Sequence, residues 1–124
     1  MAKVTVLTNA GEEWVAGRLV GSEATDGSYV SWGTGAGTAA KGDTTLFTEG
    51  SESRAGGTVT LEGSAASAKY QVEGTLTADA DKTITNAGTF TASTSGTLVL
   101  HSSFDGLDLN EGDTLTLTFT LNPS

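Results

Sequence analysis

Strict alternation of apolar and polar residues near the C-terminus is the clearest structural signal in the chain. From Asp113 to Leu121 the segment reads DTLTLTFTL, with four apolar residues at odd positions and a threonine at each even position. A repeat of two places these two kinds of side chain on opposite faces of a strand. The segment is therefore predicted to be a half-buried β-strand, entered through a turn at 111–113.

Shorter apolar stretches recur along the chain at intervals of roughly ten residues, a spacing typical of all-β proteins. Gly74 is expected to form a bulge, and Asn86-Ala87-Gly88 predicts either a bulge inside one long strand or a tight turn between two strands. The fold class is mainly β, an antiparallel β-sandwich or jelly-roll-like barrel. The predicted strands, besides the C-terminal one, are 4–7, 29–32, 58–61, 70–76, 84–90 and 98–100.

One segment near the N-terminus departs from this pattern and predicts a short helix over about 9–20. Asn9 is expected to be its N-cap, with Glu12 in a capping-box position and Gly21 in the left-handed position after its last turn. Trp14 is expected to anchor the helix against the sheet. A single face of the helix is predicted to carry Ala10, Trp14, Val15, Arg18 and Leu19.

Length and composition predict a single structural domain over 1–124 with a thin core. Of its 124 residues 36% are hydrophobic and only 6% aromatic. Such a core offsets the loss of chain entropy only narrowly, so contacts between subunits are expected to contribute to stability. A glycine-rich stretch at 33–43 is predicted to be a flexible loop.

Charge and cysteine content exclude several classes of function. The net charge is −9, and the six basic residues are spaced singly, so no positive stripe for nucleic acid is expected. Cysteine is absent, which excludes disulfides and thiolate sites. No run of about 20 apolar residues and no signal-like N-terminus is present, so a soluble, cytoplasmically made protein with no membrane partner is expected. The acidity fits either ordinary solubility or adaptation to high salt, and both remain open.

The residues that carry chemistry elsewhere do not form a recognisable catalytic set here. The glycines at 33, 35 and 37 match neither a dinucleotide fingerprint nor a P-loop. His101, the only histidine, is predicted to lie on the surface at a strand end. Ser102 and Asp105 do not form a relay with it, because neighbours along a strand point to opposite faces. We therefore expect no enzyme activity, no catalytic residues and no cofactor.

Acidic residues cluster at two places, and a calcium site is the one metal hypothesis they support. Asp79 and Asp81 form one cluster, and the segment from Asp105 to Asp113 forms the other. Calcium requires six or more oxygen ligands, of which these loops would supply some. Neither segment has the EF-hand order, so acidic turns without a metal are the main expectation.

Several segments together resemble a group of small structural proteins of tailed phages. The resemblance covers most of the chain and the order of its elements, and no catalytic residue belongs to it. The matching motifs are Leu7-Thr8-Asn9-Ala10-Gly11, Trp32-Gly33-Thr34-Gly35, Asp43-Thr44-Thr45-Leu46 with Glu49 and Arg54, Thr83-Ile84-Thr85-Asn86-Ala87-Gly88-Thr89-Phe90, Gly96-Thr97-Leu98 and Gly112-Asp113-Thr114-Leu115.

This resemblance implies a virion structural protein located on the capsid surface. The expected role is that of a decoration (cement) protein, a homotrimer that contacts the major capsid protein and stabilises the head of a tailed virus. A tail-fibre or baseplate component that binds the host surface is the alternative. The N-terminal strand is expected to add to a neighbour's sheet. The predicted assembly contacts are Val4, Val6, Trp32, Gly33, Gly35 and Arg54.

Overall fold

The computed structural model describes residues 3–21, 28–62 and 69–121. The chain is mainly β, with two antiparallel sheets packed as a sandwich and one short helix near the N-terminus, as the sequence predicts. In chain order the elements are β1 (Lys3–Leu7), α1 (Asn9–Val20), β2 (Tyr29–Gly33), β3 (Ala55–Gly56), β4 (Thr58–Glu62), β5 (Lys69–Thr77), β6 (Lys82–Phe90), β7 (Leu98–Leu109) and β8 (Thr114–Leu121).

The two sheets differ in size. The large sheet has the strand order β1-β7-β6-β2-β3, and the small sheet has the order β4-β5-β8. Every pairing within them is antiparallel. The main core lies between the sheets and is formed by buried residues of both, among them Val30, Trp32, Ile84, Val72 and Phe119.

The C-terminal strand confirms the prediction from alternation. In β8 the odd-numbered residues are buried or half-buried, and the intervening threonines are exposed. Phe119 is the most deeply buried of the odd set and belongs to the main core. Leu115, Leu117 and Leu121 pack against that core from the same face.

The two predicted irregularities have different outcomes. Strand β6 is a single strand whose pairing with β7 shifts between Ile84 and Asn86, so the bulge alternative is confirmed. A bulge at Gly74 is wrong, because β5 and β8 pair in continuous register on both sides of it. Instead, a Cβ at Gly74 would lie 2.8 Å from Cγ2 of Val30 in the opposite sheet. Gly74 marks a close approach of the two sheets.

The helix has the predicted bounds but a different N-cap. Thr8, one residue earlier than predicted, has extended backbone angles, and its Oγ1 accepts a hydrogen bond from the N–H of Gly11 at 2.8 Å. Asn9 is the first helical residue, so its predicted capping role is wrong. Thr8 is favoured because its buried hydroxyl also donates to the Leu98 carbonyl, which ties the helix start to β7. Gly21 has the left-handed conformation that was predicted, with φ of 79°.

The helix face is predicted correctly at its anchor and wrongly at its end. Trp14 is buried and contacts the Tyr70 ring edge-on, with ring centroids 5.9 Å apart. Leu19 is 83% exposed rather than packed on the sheet. Apolar residues therefore occupy both the inner and outer sides of α1, which explains why periodicity placed Leu19 incorrectly. No helix in the described parts of the chain has the length and apolar character needed to span a membrane.

The loop between β2 and β3 lies on the outer face of the large sheet. Leu46 from this loop packs with Phe90 and Leu98 in a second, smaller core, against which Tyr29 also packs. The same loop covers His101, which is fully buried. The prediction of a surface histidine is wrong, because local sequence does not reveal that a distant loop covers this end of the strand.

Candidate functional site

The glycine-rich loop is held against the segment that returns toward β3. The N–H of Thr34 donates to the Thr48 carbonyl at 3.0 Å, and the N–H of Gly35 donates to the Phe47 carbonyl at 2.8 Å. A Cβ at Gly33 would overlap the Phe47 carbonyl oxygen, and one at Gly35 would lie 2.7 Å from the Thr48 hydroxyl oxygen. These glycines permit close contact between two backbone segments, and no helix follows them within residues 34–62.

Asn86, a buried residue at the β6 bulge, fixes the loop through two hydrogen bonds to the backbone of one loop residue. Its Oδ1 accepts from the N–H of Phe47 at 3.0 Å, and its Nδ2 donates to the carbonyl of the same residue at 3.1 Å. This pair of bonds determines the orientation of the amide group. The hydrogen bond of Thr85 Oγ1 to the Gly35 carbonyl adds a further contact between β6 and the loop.

His101 completes this network, hereafter the His101 cluster (His101, Asp43, Asn86). Its Nε2 lies 3.1 Å from Asn86 Oδ1. Because that oxygen is only an acceptor, Nε2 carries the proton of this contact. Its Nδ1 lies 2.7 Å from Asp43 Oδ2, within hydrogen-bond distance. The Phe47 ring covers the imidazole, with centroids 4.7 Å apart.

The His101 cluster is not arranged for nucleophilic catalysis. The partners of His101 are Asp43 and Asn86, and the adjacent Ser102 faces the opposite side of β7, where its hydroxyl bonds Thr5 at 2.9 Å. Asp43 also accepts from the N–H of Ala40, so it closes a turn of the loop. The cluster is therefore a clamp between the loop and the large sheet.

Arg54 forms a second clamp with Glu49. The side chain of Arg54 is 9% exposed, and its guanidinium lies 3.5 Å above the Phe90 ring. Its Nε and Nη2 donate to the two carboxylate oxygens of Glu49, and its Nη1 donates to the carbonyls of Ala92 and Ser95. One side chain thereby joins the segment before β3 to the loop between β6 and β7. Bidentate pairing of this kind requires arginine rather than lysine.

The environment of Glu49 favours its ionised form. The hydrogen bond from Arg54 is the main reason that the pKa of Glu49 lies below its ordinary value; burial opposes the shift, and the hydroxyl of Ser31 and the Arg54 charge reinforce it. Ser31 donates to Glu49 at 2.8 Å from the outer face of β2. Glu49 is therefore a partner within the fold.

A third clamp lies next to the buried Trp32 and is formed by Lys82, Glu52 and Asp79. Glu52 accepts from the indole N–H of Trp32 at 2.8 Å and from the N–H of Asp79 at 3.1 Å. Lys82 pairs with both Glu52 and Asp79. Burial alone would raise the pKa of Glu52 and lower that of Lys82. The hydrogen bonds and charges of the cluster outweigh burial, so the pKa of Glu52 lies below its ordinary value and that of Lys82 lies above.

The two acidic segments proposed for calcium are engaged by neighbouring groups. Asp79 bonds Ser51 as well as Lys82, and the Ser51 hydrogen bond is the main cause of its lowered pKa. Asp81 accepts from the N–H of Glu111, Asp108 from Thr83, and Asp113 from the N–H of Asn110. No group of three or more acidic or histidine side chains suited to a metal ion occurs within residues 3–21, 28–62 and 69–121.

The six predicted assembly residues fall into two groups, one on an edge strand and one inside the subunit or in its loops. Val4 and Val6 are half-buried on β1, an edge strand of the large sheet. The others lie inside the subunit or in its clamped loops: Trp32 is fully buried, Gly33 is buried, Gly35 is half-buried, and Arg54 forms the second clamp. Their role between subunits stays a prediction, whereas their contacts within the subunit are those described above.

Sequence reasoning missed the partners of these clamps and one apolar surface. Nothing local connects Asp43 to His101 or Glu52 to Lys82, although the indole N–H of a core tryptophan signals that a polar partner must be near. The missed surface is on α1, where Leu19 is 83% exposed and Val20 is 79% exposed. A cleft of about 400 Å³ beside it is lined by Trp14, Val15, Leu19, Val59, Tyr70 and Leu121, among others.

Comparison of the chain with protein-family models, with curated proteins and with solved structures finds no match in any of the three.

Proposed function

We propose that this chain is a virion structural protein, a capsid decoration protein that stabilises the head of a tailed virus as a homotrimer in contact with the major capsid protein. The proposal begins from the motifs that resemble small tailed-phage structural proteins. Those motifs include residues of two of the three clamps, namely Asp43, Glu49, Arg54 and Asn86, and the Gly33 and Gly35 backbones that fit against the returning loop.

The observation that carries the proposal is the use of polar side chains as clamps. Within the described residues every buried side-chain nitrogen or oxygen has a hydrogen-bond partner. The histidine and Lys82 each join a loop to the large sheet, and Arg54 joins two loops to each other. A protein that cements a shell needs a surface of constant shape, and these clamps supply one without disulfides or metal ions.

The tail-fibre alternative has one observation in its favour. A polar pocket of about 450 Å³ lies at the second clamp, lined by Glu49, Glu52, Ser53, Arg54 and residues 93–95. Hydroxyl and charged groups suit a sugar, although the guanidinium of Arg54 already bonds Glu49 and two carbonyls. This pocket supports binding to a host-surface glycan only as the second candidate.

The experiment that tests the proposed function is the copy number of the chain in purified particles of the virus that encodes it. Quantitative mass spectrometry against the major capsid protein is expected to give a ratio near one copy per capsid subunit, as a decoration lattice requires. A handful of copies per particle would contradict the decoration role and support the tail-fibre alternative. Absence from the particles would contradict both.

A further inference from the structure

The described part of the chain forms four edge strands, and these strands differ in length. Within the described residues β1, β3, β4 and β8 each pair on one side only. Strand β3 has two residues, and β1 and β4 have five each, whereas β8 has eight. At about 3.4 Å per residue, β8 presents roughly 27 Å of backbone groups along its free side.

Strand β8 lacks the usual features that prevent unwanted pairing. Edge strands of soluble proteins are normally short, charged, interrupted by proline or distorted by a bulge. The sequence of β8, TLTLTFTL, has no charged residue and no proline. Its register with β5 is continuous from Thr114 to Leu121, so it has no bulge either. In a chain with fifteen acidic residues, an uncharged edge of this length is suited to pairing without repulsion between like charges.

The free edges of β1 and β8 border the same opening of the sandwich. A groove of about 450 Å³ runs between them, lined on one side by Thr5 and Phe104 and on the other by Leu117 and Phe119. Thr5 belongs to the inner face, since its hydroxyl bonds that of the buried Ser102, and yet it is exposed. The large sheet is thus uncovered where β1 extends past the small sheet.

We propose that β8 pairs along this free edge with β1 of a second copy of the chain. Both strands direct their odd-numbered residues inward, as Thr5 and Leu7 do in β1 and Leu117 and Phe119 do in β8. A joined sheet therefore keeps the two inner faces on one side and the exposed threonines of β8 on the other. The inner side chains of β8 then cover part of the next copy's groove.

A second copy is the expected occupant because each subunit carries both halves of the contact. The two edges are different and border the same groove, so each β8 meets the β1 of the next copy. Head-to-tail contacts of this kind generate a closed ring where the rotation between copies closes and an open filament where it does not. The ring of three rests on the homotrimer of the proposed function, whereas the pairing of β8 with β1 does not depend on a virion role.

The test compares two double variants by size-exclusion chromatography with light scattering at micromolar concentration. Thr116→Lys with Thr118→Lys adds two charges to the exposed face of β8. Thr58→Lys with Thr60→Lys adds the same charges to exposed positions of β4, the other edge of the same sheet. The wild type and the β4 variant are expected at three times the 12.5 kDa of one chain, and the β8 variant at one-third of their mass.

A third variant keeps the test decisive if the β8 variant fails to fold. Thr5→Arg changes the exposed position on β1, the opposite half of the same contact, and is expected to lower the mass threefold as well. Circular dichroism confirms that each variant keeps its β structure. A β8 variant and a Thr5→Arg variant that both keep the wild-type mass would overturn the pairing and leave the homotrimer standing. A monomeric wild type, or a pair of copies, would overturn the ring itself, and neither result changes the copy number measured in particles.

Discussion

The outer face of the large sheet and the β1–β8 side of the sandwich differ in whether their backbone hydrogen-bonding groups are satisfied within the subunit. On the outer face, a loop covers the strands, and buried side chains such as Asn86 and His101 satisfy its backbone and each other. On the β1–β8 side, two strand edges are unpaired within the described residues, and an inner-face threonine is exposed. The first region is complete within one subunit, whereas the second is the one that we propose another chain completes.

The largest difference in stability is expected between Trp32, in the core between the sheets, and Leu19, on the exposed surface of α1. Trp32→Ala removes a fully buried side chain and leaves Glu52 without its indole partner, so we expect a loss of about 3–5 kcal/mol in the free energy of unfolding. Leu19→Ala changes an exposed residue and is expected to alter it by less than about 0.5 kcal/mol. Urea unfolding of dilute protein measures both. Equal losses in the free energy of unfolding would contradict the distinction between the packed core and the exposed helix surface.

The next largest effect is expected at Asn86. Asn86→Ala leaves the N–H and carbonyl of Phe47 and the Nε2 proton of His101 without their partner, at a cost of about 2–4 kcal/mol. Asn110→Ala, in an exposed turn, is the matched control and should change stability by less than about 0.5 kcal/mol. Similar midpoints for the two variants in urea would show that the loop is not clamped by Asn86.

Arginine at position 54 is expected to be irreplaceable by lysine. Arg54→Lys keeps the charge but loses the bidentate pair with Glu49 and the stacking on Phe90, a loss of about 1–3 kcal/mol. Glu111→Asp, a charge-preserving exchange at an exposed turn, is the control, with an expected change below about 0.5 kcal/mol. Thermal unfolding compares the two. A loss no greater than that of the control would contradict the second clamp.

The smallest expected effect is a decrease in the free energy of unfolding as the pH falls into the acidic range. The pKa values of Glu49 and Glu52 lie below the ordinary 4.5, so their stabilisation is complete above that value and is lost as the pH falls through the lower folded-state pKa. Urea midpoints should therefore decrease between about pH 5 and pH 3. Glu49→Gln with Glu52→Gln should flatten this decrease. An equal slope in the variant would assign the acid sensitivity to other carboxylates.

Local pattern was sufficient to predict those features that depend on neighbours in sequence. The two-residue period of β8 predicts which of its faces is buried. Gly21 marks the end of the helix because the residue after the last turn has a left-handed conformation, which glycine adopts without strain. The N-cap was misplaced by one residue, since both Thr8 and Asn9 are good caps and the choice depends on a hydrogen bond of Thr8 to Leu98. That bond joins residues 90 positions apart in sequence.

The candidate site depends almost wholly on such distant contacts. His101 is buried because Asp43 and Phe47 come from a loop more than fifty residues away. The Gly33 and Gly35 backbones fit closely against Phe47 and Thr48, and sequence does not identify those partners. Open edges are equally non-local, because a strand becomes an edge only through the order of the strands.

Hydrogen exchange of the wild-type protein at two concentrations tests the division between the two regions most directly. Amides of the clamped face, including Phe47 and the strand around His101, are expected to be equally protected in dilute and concentrated protein. The amides of β8 that point away from β5, and those of β1 that point away from β7, are expected to be protected only in concentrated protein, where copies pair along these edges. Protection of these outward-facing amides that does not depend on concentration would contradict the account.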